Sequence, residues 1–335
     1  MEKKKIIQSV IFLIIGICLF WLVFRNTNLD QILTQLTRFN LLWIGASVGI
    51  NIISQLIRAY RWKLLFKPLN YKPKIFNLFL AIIILAFTNQ IIPRGGEFSR
   101  LGVINRVEKI PFSKLLGIAL AERTTDFIVL ILIAIGILIW QFSSIQKLLH
   151  LPQVDMQQIN YIKTFIIIAV SIGIIAVTIF IIKRFGWFRR TRVKIRKIRN
   201  DIAKGFSSLR RIKHKPLYTF YTILIYILWL LALYVIFFAY PPTSDLPLKA
   251  AIFTFGLATL AFLLPVQAGI GAWHFIVIQC LVLYGIDTES GKVFSLVAHA
   301  TTNLIFIALG AISFMLIPLI NKKSNNYKSP PSYKK

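Results

Sequence analysis

The sequence has few acidic residues and few charged residues of any kind. Only 11 of its 335 residues are Asp or Glu, against 40 Lys or Arg, and charged residues make up 15% of the chain. Soluble domains carry about 25% charged residues. Hydrophobic residues make up 57%, and the mean hydropathy is +0.71. A water-soluble enzyme of this size could not bury so much apolar surface, so the composition excludes that class and indicates an integral membrane protein.

Residues suited to redox or metal chemistry are also scarce. The two cysteines, Cys18 and Cys280, lie inside apolar runs, and the four histidines lack metal-ligand spacing. The sequence contains no GxxxxGK[ST] phosphate loop, no GxSxG nucleophile elbow and no HExxH zinc motif. These absences argue against an ATP-driven pump and an intramembrane enzyme, and we expect no cofactor and no metal.

Long apolar runs are the dominant feature, and about 20 such residues cross a membrane as a helix. The runs are 6–24, 41–57, 75–93, 115–140, 161–182, 217–240, 248–264, 275–284 and 293–320. We predict an all-α polytopic integral membrane protein with about 6–8 transmembrane helices. Its single transmembrane domain would cover residues 1–320, followed by a disordered basic tail at 321–335.

Basic clusters indicate which loops are cytoplasmic. The segment 58–74 begins with Arg58 and Arg61 and has no acid, and residues 183–215 hold 14 Lys or Arg against Asp201. The second segment has the period of an amphipathic helix, so we expect it to lie on the anionic lipids of the inner leaflet. Because it is tethered between two spans, we expect no nucleic-acid binding. Both termini are predicted to be cytoplasmic, in a bacterial-type inner membrane.

Two apolar stretches are interrupted by Pro and Gly. If residue 74 is cytoplasmic and residue 150 is outside, the runs 75–93 and 115–140 cannot both cross, so we predict that the first turns back within the membrane. The stretch 248–284 fits either two crossings or a hairpin from outside. Paired broken segments in two halves are typical of an inverted repeat around a transporter's central site. The predicted hinge residues are Asn89, Pro93, Gly95, Gly96, Pro265, Gly269 and Gly271.

Ionisable residues within the apolar run 115–140 are the strongest functional signal. A charge at mid-bilayer costs at least ~2.5 kcal/mol, so such residues usually face a cavity or a partner. Arginines beside a Gly-Gly turn suit a phosphate, and carboxylates suit an amine or a proton. The alternative is a structural ion-pair network. The assigned substrate-binding residues are Arg94, Glu97, Arg100, Glu122, Arg123 and Asp126, with His274 and His299 as candidate proton or headgroup contacts or neutral packing residues.

The ordered motifs resemble a known family. NQIIPRGGEFSR (89–100), AERTTD (121–126) and PVQAGIG (265–271) resemble the signature of the flippase-like membrane region of lysylphosphatidylglycerol synthases and its stand-alone relatives. The resemblance implies movement of phospholipids or lipid-linked compounds between leaflets. Bifunctional members add a soluble domain that transfers lysine, whereas only a short tail follows Ile320 here, so we expect no synthase activity. Many relatives have Glu near Trp273 and His274, and some have a basic residue at His299, which leaves the substrate open.

Two functional hypotheses follow. The first is a flippase-like transporter that is not driven by ATP, with anionic membrane lipids as partners and a phospholipid or lipid-linked compound as substrate. The second is a non-transporting membrane partner that recruits or regulates a lipid-modifying enzyme. In the second case function would depend on the basic segment 183–215 and not on the intramembrane charges.

Overall fold

The computed structural model describes residues 17–18, 20–25, 34–92, 95–142, 194–261 and 267–325. Within these ranges the regular structure is helical, without strands. Residues 20–24 are helical, and longer helices follow. They are α1 (Leu41–Phe66), α2 (Ile75–Ile91), α3 (Gly96–Glu108), α4 (Phe112–Trp140), α5 (Lys194–Ser207), α6 (Lys215–Phe237), α7 (Leu248–Ala261), α8 (Ala272–Leu283) and α9 (Thr288–Asn325).

Three of the described helical segments are long and apolar enough to cross a membrane: Leu41–Leu69, Lys215–Phe237 and Thr288–Ile317. Helix α4 has 29 residues, which at 1.5 Å per residue extends about 43 Å, but it carries four ionisable residues: Lys114, Glu122, Arg123 and Asp126. Helices α2, α7 and α8 are apolar and shorter. The predicted all-helical architecture is confirmed in this coarse form.

Helices α2 and α3 form a hairpin, which we call hairpin one. The side chain of Glu108, at the end of α3, accepts hydrogen bonds from the backbone N–H of Lys74 (2.9 Å) and from Asn77 Nδ2 (2.6 Å), at the start of α2. At the tip, Asn89 Oδ1 accepts from the Gly96 N–H at 2.9 Å. A Cβ on Gly96 would overlap the Leu85 carbonyl oxygen, so this tight return requires glycine. The open end of hairpin one therefore lies where α4 begins.

Helices α7 and α8 form a second hairpin, hairpin two, at the other end of α4. Gln141, which follows α4, contacts both ends of it: its Nε2 donates to the Lys249 carbonyl (3.4 Å), and its Oε1 accepts from the Tyr284 hydroxyl (3.0 Å). At the tip, Ala268 and Gly271 have positive φ angles of 49° and 80°. The turn 267–269 contacts α2, so the two hairpins approach each other from opposite ends of α4.

Two apolar cores support these hairpins. One lies around the open end of hairpin one and includes Trp62, Leu78 and Ile118. The other lies around the open end of hairpin two and includes Phe237 and Phe294. Each core packs the ends of several helices together, so the hairpin positions are fixed by packing.

Helix pairing completes the frame. Helix α1 packs along α6, where the Ser47 hydroxyl donates to the Ala232 carbonyl at 2.9 Å. Helix α5 crosses α4 at two glycines, and a Cβ on Gly205 would lie 2.8 Å from the Gly117 Cα. The Ser113 hydroxyl donates to Asp201 Oδ2 at 3.0 Å beside this crossing. One face of α5 is therefore covered by α4.

The prediction that the second apolar run ends at Ile57, with a cytoplasmic loop after it, is wrong. Helix α1 continues to Phe66, and Arg58 and Arg61 are helical and buried instead of lying in a loop. No helix-breaking residue precedes Pro68, and acidic side chains of α4 neutralise Arg61. Helix α9 also continues to Asn325, into the segment predicted to be disordered. The run 161–182 and most of the run 6–24 lie outside the described residues.

Candidate functional site: a buried ion-pair network

Glu122 of α4 lies at the centre of the charged residues, with its side chain fully buried. Its Oε1 is 3.0 Å from Arg61 Nη2 of α1, and its Oε2 is 2.7 Å from Arg100 Nη1 of α3. Both arginines are also buried. Because each carboxylate oxygen faces a different arginine, one acid ties α1, α3 and α4 together.

Arg61 and Arg100 each have a second carboxylate, and each guanidinium lies over an aromatic ring. Arg100 Nη2 lies 2.7 Å from Glu97 Oε2, one turn earlier on α3, and its guanidinium lies 4.5 Å from the centre of the Trp62 ring. Arg61 Nη1 lies 2.8 Å from Asp126 Oδ1. A guanidinium buried away from water is stabilised by carboxylate pairs and cation–π contacts of this kind.

Arg123 is the partly exposed member of the network, with 42% of its side chain accessible. Its distances to carboxylate oxygens are 3.1 Å to Glu97, 3.4 Å to Glu122 and 3.3 Å to Asp126. The pairs of Arg61 and Arg100 measure 2.7–3.0 Å. Three arginines therefore balance three carboxylates, and Arg123 has the longer and more accessible contacts.

Arg58 adds a fourth arginine, also buried, one turn before Arg61. Its Nη1 donates to Gln55 Oε1 at 2.8 Å, and its guanidinium lies 5.8 Å from the Trp229 ring. No carboxylate oxygen of the described residues lies within 4.0 Å of it. With Arg58 included, four arginines face three carboxylates, so the network carries a formal charge of +1.

Arg58 and Arg61 were not among the predicted site residues, although the polar residues of α1 give a sequence signal for them. Polar residues recur every three or four positions along the apolar helix α1, which places them on one face. These residues are Ser47, Asn51, Ser54, Gln55, Arg58 and Arg61, and all are buried.

Five of the six predicted substrate-binding residues meet in this network: Glu97, Arg100, Glu122, Arg123 and Asp126. Arg94 lies outside the described residues, as do the predicted hinges Pro93 and Pro265. The remaining predicted hinges lie at the tips of the two hairpins. They are Asn89, Gly95 and Gly96 in hairpin one, and Gly269 and Gly271 in hairpin two.

His299 of α9 belongs to a second polar group, a chain of hydrogen bonds between the hairpin tips. Gln90 Nε2 donates to Asn303 Oδ1 (2.8 Å), Asn303 Nδ2 donates to His299 Nδ1 (2.9 Å), and His299 Nε2 lies 2.9 Å from the Ala268 carbonyl oxygen. A hydrogen on His299 Nε2 would let this nitrogen donate to the Ala268 carbonyl oxygen. We call this chain the tip relay, because it joins the tip of hairpin one to that of hairpin two through α9.

His274 lies next to the tip relay, its ring centre 4.5 Å from that of His299. Its Nδ1 accepts from the Gly271 N–H at 3.3 Å, so the imidazole also holds the break of hairpin two. Among the described residues, no three His, Cys, Asp or Glu side chains are grouped as metal ligands.

Comparison with known proteins identifies the family of the chain. The family described as the lysylphosphatidylglycerol synthase TM region matches residues 7–310. The chain belongs to this family. One relative is the UPF0104 membrane protein MJ1595 of Methanocaldococcus jannaschii, 23% identical over 336 residues that cover 95% of this chain and 97% of the relative. No solved structure matches. The resemblance drawn from the motifs is thereby confirmed, and the chain is an integral membrane protein.

Proposed function

We propose that this protein moves a phospholipid or a lipid-linked compound between the leaflets of the cell membrane without ATP. Its family membership supports a lipid-related role. The observation that carries the proposal is Arg123, a half-exposed arginine at the edge of an ion-pair network whose centre, Glu122 with Arg61 and Arg100, is buried. A charged side chain kept accessible within an apolar helix is suited to binding a polar headgroup in the membrane.

In this proposal both hairpins are re-entrant and enter from opposite faces. Hairpin one would enter from the cytoplasmic face, because basic residues surround its open end, and both termini would be cytoplasmic in a bacterial-type inner membrane. The contacts of Glu108 with Lys74 and of Gln141 with Lys249 and Tyr284 support the two returns. Broken segments arranged in this way place their tips near the midplane, where transporters bind substrate.

The headgroup phosphate would bind Arg123. Its longer contacts to Glu97 and Asp126 can be exchanged for a phosphate while Arg61 and Arg100 keep their shorter pairs. Arginine suits this role because its planar fork binds two phosphate oxygens at once. Glu97 Oε1, released from Arg123, would then meet an amine on the headgroup, while Glu97 Oε2 keeps its pair with Arg100. Arg94, from the same motif, is proposed as a second phosphate ligand.

Passage of a headgroup would require the hairpin tips to part. The tip relay holds them together, so its bonds would open and close in each cycle. His274 and His299 are the titratable groups at this point, and they are the proposed proton or headgroup contacts. A proton gradient or membrane potential would supply the energy.

Lipid movement in reconstituted vesicles tests the proposal. We expect Arg123→Ala to slow the translocation of a labelled phospholipid about tenfold or more, because it removes charge-assisted hydrogen bonds. Arg106→Ala is the matched control, since Arg106 is exposed in the last turn of α3. Its rate should equal that of the wild type.

An Arg123→Ala protein that is folded and moves every tested lipid at the wild-type rate would refute the site. If neutralising the basic residues of α5 then removed the cellular lipid phenotype, the alternative of a recruiting or regulatory partner would be favoured. That alternative draws on the Gly117–Gly205 crossing, which fixes basic α5 against α4.

A further inference from the structure

A cavity of about 380 Å³ lies between residues 22–23 of the N-terminal helical segment, α8 and the start of α9. This volume falls within the roughly 300–1,000 Å³ of sites that bind small molecules. Leu22, Val23, Phe275 and Ile278 form an apolar wall, and the side chains of Leu22 and Phe275 are more than half exposed. The wall therefore suits a hydrocarbon chain.

Three polar side chains lie at the edge of this mostly apolar lining. Gln279, Thr288 and Lys292 line the same cavity. The Lys292 side chain is only 9% exposed, and its Nζ lies 2.7 Å from Glu289 Oε1. An ammonium group has three hydrogens to donate, so one pair with Glu289 leaves donors for a ligand. The hydroxyl of Thr288 and the amide of Gln279 can donate to the same oxygen-rich group.

Charge balance narrows the class of ligand. Lys292 and Glu289 together are neutral, and the Glu289 side chain is 41% exposed. A headgroup that carries only a phosphate would pair with Lys292 but would be repelled by the Glu289 carboxylate. A headgroup that carries both a phosphate and an amine would complement both charges. A lipid without a charged headgroup would leave Lys292 without a ligand.

We infer that this cavity binds a phospholipid whose headgroup carries a phosphate and an amine. The phosphate contacts Lys292, Thr288 and Gln279, the amine faces Glu289, and an acyl chain lies along Phe275 and its apolar neighbours. The site is formed by residues other than those of the ion-pair network. Binding here therefore does not depend on the proposed translocation.

Lipid binding by the purified full chain in detergent tests the inference. Native mass spectrometry would measure titrations with phosphatidylethanolamine, phosphatidylglycerol and diacylglycerol. We expect phosphatidylethanolamine to bind most tightly, and Lys292→Gln to weaken its binding about tenfold. Lys249→Gln is the control, because Lys249 is exposed at the start of α7, near the same end of hairpin two. Equal affinities for the three lipids, or unchanged binding by Lys292→Gln, would overturn the inference.

A second measurement uses only the wild-type chain, in case Lys292→Gln does not fold. Phosphatidylethanolamine with a photoreactive acyl chain should label peptides that contain Leu22 or Phe275. Labelling confined to other peptides would reject the cavity. Because both experiments read binding and not movement, they succeed or fail independently of the Arg123→Ala result.

Discussion

Glu122 is the residue on which the intramembrane charges converge. Both of its oxygens face buried arginines, and those arginines reach different helices. Removing one partner of a buried pair leaves an uncompensated charge, which is far more costly than the pair's own net contribution. The stability of this region should therefore depend on Glu122 more than on exposed acids.

We expect Glu122→Gln to lower the free energy of unfolding by about 3–5 kcal/mol, because Arg61 and Arg100 each lose a carboxylate. Thermal or denaturant unfolding of the purified protein in detergent measures the change. The control is Asp245→Asn, an exposed acid, for which we expect a change within about 0.5 kcal/mol. Equal changes in the free energy of unfolding for the two variants would contradict the role given to Glu122.

At the scale of single residues, the sequence identified the acidic members of the ion-pair network but not all of their arginine partners. Glu122 and Asp126 stand out because they interrupt an apolar run, and the nearby Glu97 and Arg100 were assigned from their motif. Arg61 was assigned to a loop because basic residues after an apolar run usually flank the cytoplasmic end of a span. Its partner Glu122 lies 61 positions later. Only the packing of α1 against α4 reveals that contact.

At the scale of the helices, α4 and α5 cross at Gly117 and Gly205, where neither helix has a side chain. A Cβ on Gly205 would lie 2.5 Å from the Lys114 carbonyl oxygen as well as 2.8 Å from Gly117 Cα. Both neighbours are backbone atoms, which cannot turn aside as a flexible side chain could. Any larger residue must therefore push the two helices apart.

We expect Gly205→Ala to destabilise the protein by about 1–3 kcal/mol, as overpacking does. The matched change Gly102→Ala should have the opposite sign, since Gly102 lies inside α3 with no atom within 4 Å of the added Cβ. Alanine there should stabilise the helix by about 0.5–1 kcal/mol. Melting temperatures in detergent compare the two, and a stabilising Gly205→Ala would exclude this close crossing.

The sequence predicted that a basic amphipathic helix lies within 183–215, and α5 (Lys194–Ser207) is that helix. The same pattern led to the expectation that inner-leaflet lipid covers the apolar face, although periodicity is the same whether lipid or protein covers it. The Gly117–Gly205 contact assigns part of that face to α4. Similarly, Gly and Pro residues predicted where the two hairpins turn. The lengths of the helices could not be predicted in this way, because they depend on packing, as the extension of α1 to Phe66 shows.

For the whole molecule, the parity of crossings predicted that the chain returns after α2, and the contacts of Glu108 agree with that geometry. The sequence left residues 248–284 open between two spans and a hairpin. Gln141 touches both ends of that stretch, so the two ends lie at the same end of α4. Two antiparallel spans and a re-entrant hairpin both bring the two ends together, so this contact fits either topology.

The most direct test of the account is to lock the first contact of the tip relay, between Gln90 of hairpin one and Asn303 of α9. Gln90→Cys and Asn303→Cys, in a chain with Cys18→Ala and Cys280→Ala, would place two thiols where the tip relay begins. A short reducible thiol cross-linker then joins α2 to α9, and labelled phospholipid movement in vesicles is measured before cross-linking, after it and after reduction. If this contact must open in each transport cycle, cross-linking stops translocation and reduction restores it. An unchanged rate in the cross-linked protein would contradict the account.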